Sequence, residues 1–207
     1  MRSLREPIRR SFDRAVAPIV RMSETRANHL GSLFTDVLVG AALVWAGLYR
    51  TGAHPGMALL AFGMGLLAFS WVEYGFHRWL MHGQVPLLGP GHRKHHENPT
   101  GHDSMPFFLP PMILAVLVSL FALLMPVGDA LLLAGGLACG YAAYGLSHAV
   151  IHVKRFRHPL GRRWAAVHHV HHYHPDANFG VTTPLWDIVL GTRYVRNQEG
   201  TERIKRA

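Results

Sequence analysis

Four long apolar stretches divide the chain, over residues 33–49, 57–76, 107–125 and 130–151. Each is roughly 17–22 residues long, the length at which a helix crosses a hydrocarbon core about 30 Å thick. Asp36 interrupts the first near its start, Glu73 the second near its end, and Pro110 and Pro111 open the third. Helices of a soluble bundle keep a polar stripe; these stretches are apolar nearly all round. The pattern therefore predicts an all-α protein with four transmembrane helices. Gly135, Gly136, Gly140 and Gly145 suit the fourth helix to close packing against another. A tight helical hairpin around Pro126, Gly128 and Asp129 should join the third to the fourth. Residues 1–30 are polar and basic, which predicts a surface-lying or disordered arm, and no apolar stretch there has the form of a secretory signal.

Charge turns this pattern into a topology. The chain of 207 residues has 21 Lys and Arg against 12 Asp and Glu, a net charge of +9. With four crossings, 20 of the 21 basic residues fall on the side that holds both ends and the 77–106 loop. By the positive-inside rule that side is the cytoplasm, so the basic balance requires no nucleic-acid partner. An apolar content of 49% excludes a disordered chain, and a single cysteine, Cys139, excludes a disulfide scaffold.

The candidate chemistry lies in the 16 histidines. Ten form four groups on the cytoplasmic side: His77 and His82; His92, His95 and His96; His148 and His152; and His168, His171 and His172. Their spacings are HX4H, HX2HH, HX3H and HX2HH. Positions i, i+3 and i+4 share a helix face, so each HX2HH is expected to aim three imidazoles at one place and HX3H two. HX4H falls off one α-helical face, so its two rings would reach different metals or straddle a helix end. Ten imidazoles divide into two metals with about five each, too many for one structural zinc. His29, His54 and His158 read as surface or satisfied residues. His102 and His169 are ambiguous, and His174 is a candidate eleventh ligand or a donor behind the ligands.

The segments EYGFHRWLMH, GHRKHHENP, SHAVIH and HHVHHYHPDANFGVTTPLWDIVLGT, from about Glu73 to Thr192, resemble the fatty acid hydroxylase/sterol desaturase superfamily of integral-membrane diiron enzymes. They are most similar to its fatty acid 2-hydroxylase branch, which shares the box series and the closing NFG…WD…GT segment. The resemblance implies four membrane helices beneath a cytosolic helical cap that carries a dinuclear His-rich site. It divides the chain into a basic arm, residues 1–30, and a hydroxylase-like catalytic domain, residues 31–207. It implies two iron ions as cofactor, a lipid substrate in the bilayer, dioxygen, and a separate electron-donor protein, because the polar arm holds no haem-binding domain. Carotenoid hydroxylases share some boxes, but their third is usually HX4H.

Chemistry and spacing suggest further roles. No side-chain acid or base attacks an unactivated alkyl C–H bond, which is why a metal is needed, and zinc, which has no redox chemistry, fits only as a substitute for iron. Glu73, four residues before His77, and Asp187 are candidates to orient a ligand imidazole. Tyr144, one turn before His148, is a candidate for lining the substrate path. The expected activity is hydroxylation of a fatty acyl or sphingolipid chain. A sterol desaturase or oxidase and a carotenoid hydroxylase are the enzymatic alternatives. A metal transporter is the non-enzymatic one, disfavoured because transport ligands tend to lie at mid-membrane.

Overall fold

The computed structural model of the chain describes residues 5–51, 54–86, 88–102, 104–196 and 202–204, the side chains of 5–13, 51 and 202–204 aside. The fold is mostly helical: α1 Arg5–Ser23, α2 Arg26–Thr51, α3 Pro55–Gly75, α4 Leu88–Glu97, α5 Leu109–Ala122, α6 Val127–Val153, α7 Pro159–Tyr173 and α8 Leu185–Val189. Part of the basic arm is thus helical, in α1, and its first four residues lie outside the described ones. A departure from the all-α expectation comes at the C-terminal end. There β1 (Tyr194–Arg196) pairs antiparallel with β2 (Glu202–Ile204), Tyr194 opposite Ile204.

Among the described residues, three helices are long and apolar enough to cross a membrane: α2, α3 and α6. Their large apolar side chains point outward, with Trp45, Leu59 and Leu60 all exposed, as expected where the solvent is lipid. The chain is therefore an integral membrane protein. The third apolar stretch forms a shorter helix of 14 residues. Proline in its first turn sets its start, and the chain turns at 123–125 ahead of Pro126.

Helix α6 is the centre of the fold, packed against α2, α3 and α5. Its small residues let backbones meet. A Cβ on Gly136 would lie 2.2 Å from the Phe62 carbonyl oxygen, and one on Gly65 2.2 Å from that of Leu133. The ends of α3 and α6 are thereby fixed side by side, and both carry histidines. Around them gather α4, α7 and α8. Proline in its first turn starts α7, with the His158 side chain accepting from the Leu160 N–H. Helix α8 is tied to α3 by the Trp186 indole, which donates to the Ser70 hydroxyl at 3.0 Å.

Candidate metal centre

Helix α3 does not stop at Gly75 but widens into a π-helical turn, Phe76–Met81. The N–H of His82 donates to the carbonyl of His77, five residues back, at 3.2 Å. This corrects the expectation for HX4H. An α-helix would splay positions i and i+5, whereas the wider turn superposes them. His77 and His82 join one group, with ring centroids 5.1 Å apart.

Nine of the ten predicted ligands converge into two groups. One is His77, His82, His92, His96 and His171; the other is His95, His152, His168 and His172. Within each, the ligand atoms lie within 4.8 Å of one another. The two HX2HH boxes therefore do not aim three rings at one place. His92 and His96 face the first group while His95 faces the second. His168 and His172 face the second while His171 faces the first. Each helix lies between the two groups, so its i, i+4 pair turns to one and the remaining residue to the other. The groups adjoin, with the rings of His96 and His172 stacked 4.4 Å apart.

The donor atoms fit a cation at each focus. In the first group, His92 Nε2 lies 3.0 Å from the Nε2 atoms of His77, His82 and His96. One N–H satisfies at most one such contact, so these nitrogens cannot all be hydrogen-bonded to each other. With metal–nitrogen bonds of about 2.1 Å, ligands at right angles sit about 3.0 Å apart and tetrahedral ones about 3.4 Å. The spacing is one that nitrogens gathered on a single ion would adopt. In the second group, His95 Nε2 is buried with no hydrogen-bond partner, and the Nε2 atoms of His152 and His168 are 3.0 Å apart.

A further layer sets the tautomers. His77 Nδ1 donates to the Phe179 carbonyl at 2.5 Å and His171 Nδ1 to that of Ala177 at 2.7 Å. Protonation at Nδ1 leaves Nε2 as a bare lone pair facing inward. Burial, and after it the neighbouring imidazoles, pushes His82 down to about 4, His95 to about 3, and His92 and His172 to about 2. Burial likewise lowers His171 to about 3. These rings are neutral at pH 7, the form in which imidazole binds a metal. Imidazole suits iron, copper, nickel and zinc.

The remaining candidates take other places. His148 lies outside both groups but beside the second, 4.4 Å from His95 and 4.9 Å from His168 between ring centroids. Glu73 makes its hydrogen bonds to the backbone and to a hydroxyl, not to an imidazole. Its carboxylate accepts from the N–H groups of Val181 and Thr182 and from the Thr182 hydroxyl. Asp187 accepts from the N–H groups of Phe179 and Gly180, each at 2.8 Å, and from Thr192 Oγ1 at 2.7 Å. Both acids act one step back, holding the 179–182 loop whose Phe179 carbonyl aligns His77. Tyr144 stacks on His148 at 5.7 Å. His174 stacks on Tyr194 at 4.5 Å, and His169 sits 5.8 Å from His152, both outside the two groups.

The loop's own requirements went unread in the sequence. Asn178 has φ 56°, a conformation asparagine tolerates better than most residues. It bridges the Val167 carbonyl and the Tyr194 N–H. Gly180 has no room for a Cβ, which would lie 2.1 Å from the Thr183 carbonyl oxygen. Tyr74, fully buried, joins Arg78 to Thr192 through its hydroxyl, at 2.7 and 3.0 Å.

Residues 62–192, which contain all four boxes and this loop, match the model of the fatty acid hydroxylase family. A dihydroceramide fatty acyl 2-hydroxylase of Arabidopsis thaliana is 30% identical over 144 residues, 64% of this chain and 60% of that protein. A fatty acid 2-hydroxylase of Rattus norvegicus is 32% identical over 149 residues, 63% of this chain but 38% of its own length. The chain thus spans less than two thirds of the length of these relatives. In fold it is similar to the hydroxylase domain visible in a structure of full-length scs7p. The TM-score is 0.67 at 24% identity, covering 84% of this chain and 68% of that one.

Proposed function

The chain belongs to the fatty acid hydroxylase family, and from that premise we propose that it is a membrane-bound non-haem diiron oxygenase that hydroxylates a fatty acyl or sphingolipid chain. The observation that carries this reading is the convergence of nine imidazoles into two adjoining groups beside the ends of the apolar helices α3 and α6. The named activities of the relatives favour carbon 2 of a fatty acyl chain over a sterol or carotenoid. The overall reaction is R–H + O2 + 2 e⁻ + 2 H⁺ → R–OH + H2O, with both electrons from a separate protein. Ligands at helix ends, rather than at mid-membrane, speak against a metal transporter.

On this reading the ten predicted histidines, His148 included, hold two iron ions, which when bound supply the reductive activation of dioxygen. The protein orients and excludes. The carbonyls of Phe179 and Ala177 hold the protons of His77 and His171 at Nδ1. Glu73 and Asp187 hold the loop, and Tyr144 lines the path of an acyl chain arriving sideways from the bilayer. Helix α5, with its apolar flanks, makes a fourth crossing, and α4, α7 and α8 form a cap on the cytoplasmic side, where both ends of residues 31–207 and the arm 1–30 also lie.

The test is chemical. Membranes of a host expressing the chain should accumulate 2-hydroxylated acyl lipids, seen by mass spectrometry, in an iron-dependent manner. Lipid extracts identical to those of the host alone would refute the assignment.

A further inference from the structure

The face of α7 opposite the metal ligands is built differently. Arg162, His169 and Tyr173 are exposed along it, while His168 and His171 are buried on the other side. This face and the segment after α6 enclose an open groove of about 450 Å³ lined by Lys154, Arg155 and Phe156 as well as Arg162, His169 and Tyr173. Lys154 lies 5.6 Å over the Phe156 ring. Five basic residues fall between 154 and 163, and no Asp or Glu occurs anywhere from 130 to 175. The groove also touches the metal centre. His169, on its wall, packs 5.8 Å from the ring of His152, whose Nε2 is 3.0 Å from that of His168.

We propose that this groove is the docking surface for an acidic one-electron carrier protein, which delivers its electrons beside His152. The proposal rests on the oxygenase reading above. Each turnover consumes two electrons, so two reduced carriers are oxidised in succession for each C–H bond hydroxylated and each water formed. The charge is of one sign, as electrostatic steering of a negatively charged partner requires. Exposed aromatic and Arg side chains are the groups enriched where proteins meet. The run Arg162 to Tyr173 extends about 16 Å along the helix axis, a length suited to a protein face.

The probe is a plant-type ferredoxin, a small acidic iron–sulfur protein, with the full chain in nanodiscs of neutral phosphatidylcholine. Reversing two exposed charges, Arg155→Glu with Arg162→Glu, should raise the Kd for ferredoxin at least tenfold and flatten its dependence on salt. Reoxidation of reduced ferredoxin should slow in parallel, while metal content and reduction of the centre by dithionite stay at wild-type values. An unchanged Kd in the double variant overturns the proposal. So does a double variant that keeps its ferredoxin Kd but loses binding to phosphatidylglycerol, which makes the groove a lipid headgroup site. Failure of the dithionite-reduced wild type to oxidise lipid under dioxygen would instead overturn the oxygenase reading, whatever ferredoxin does.

Discussion

His77 and Asp187 are connected through a single residue. The Phe179 carbonyl accepts from His77 Nδ1 at 2.5 Å, and the Phe179 N–H donates to Asp187 Oδ1 at 2.8 Å. A buried carboxylate 110 residues away in sequence is thus linked to the His77 ring through one peptide unit. Asp187→Asn keeps the shape but places an NH2 group against a backbone N–H. Groups that orient ligands typically account for about 10- to 100-fold in metal affinity. Asp187→Asn should therefore lose metal to a competing chelator at least about tenfold more readily than wild type, and equal retention would exclude the relay.

Packing at the helix crossing predicts a stability effect with no change of ligand. Gly136→Ala forces a methyl group to 2.2 Å from the Phe62 carbonyl oxygen. Overpacking of this kind typically costs about 1–3 kcal/mol. The melting temperature in detergent should fall, and metal occupancy with it, because the ends of α3 and α6 carry histidines of both groups. A variant as stable as wild type would mean that the two helices are not in backbone contact.

Acid should destabilise the metal-free protein. The rings of His82, His92, His95, His171 and His172 are pushed to between about 2 and 4 by burial first, from 6.5 when unfolded. Between those values the unfolded chain binds more protons, so stability falls as pH falls. Thermal melts of chelator-treated protein should hold steady above about pH 6.5 and decline from there toward pH 4. A melting temperature that rises on acidification would contradict this.

The ten-ligand reading separates His148 from histidines that belong to no box. His148 stands 4.4 Å from His95 and stacks on Tyr144, so His148→Ala should abolish lipid hydroxylation while the protein still inserts. His54, exposed at the start of α3, should tolerate Ala with activity near wild type. Equal loss in the two variants at equal expression would undo the assignment.

Much of this was legible in the chain. Hydrophobic runs located the three long helices, because a side chain facing lipid has no polar option, and the His boxes named nine histidines that the fold brings together in two groups. The length of α5 was overestimated, since the hydropathy of 107–125 does not register where proline and the turn at 123–125 end the helix. The partition of ligands was misjudged for a geometric reason. Spacing rules assume an α-helix, and they cannot foresee that α3 widens at Phe76 or that α4 and α7 run between two foci. Glu73 and Asp187 were picked out as orienting groups, but that they act through the 179–182 loop depends on contacts more than 100 residues apart.

The sharpest test comes from two residues adjacent in the chain. His95 and His96 sit on successive positions of α4, about 100° apart around the helix, and their rings are 6.1 Å apart at 86°. His96 Nε2 lies 3.0 Å from His92 Nε2 in the first group, whereas His95 belongs to the second with His152, His168 and His172. Wild type should hold two metals per chain by elemental analysis. His96→Ala should weaken the first site and His95→Ala the second, each variant retaining about one metal with its own spectroscopic signature. Pairing within a group should add little: His96→Ala with His92→Ala should still hold one metal. Pairing across groups, His95→Ala with His96→Ala, should lower occupancy at both sites. If the two single variants lost the same metal, α4 would face one site only, and the division of the histidines into two foci would be wrong.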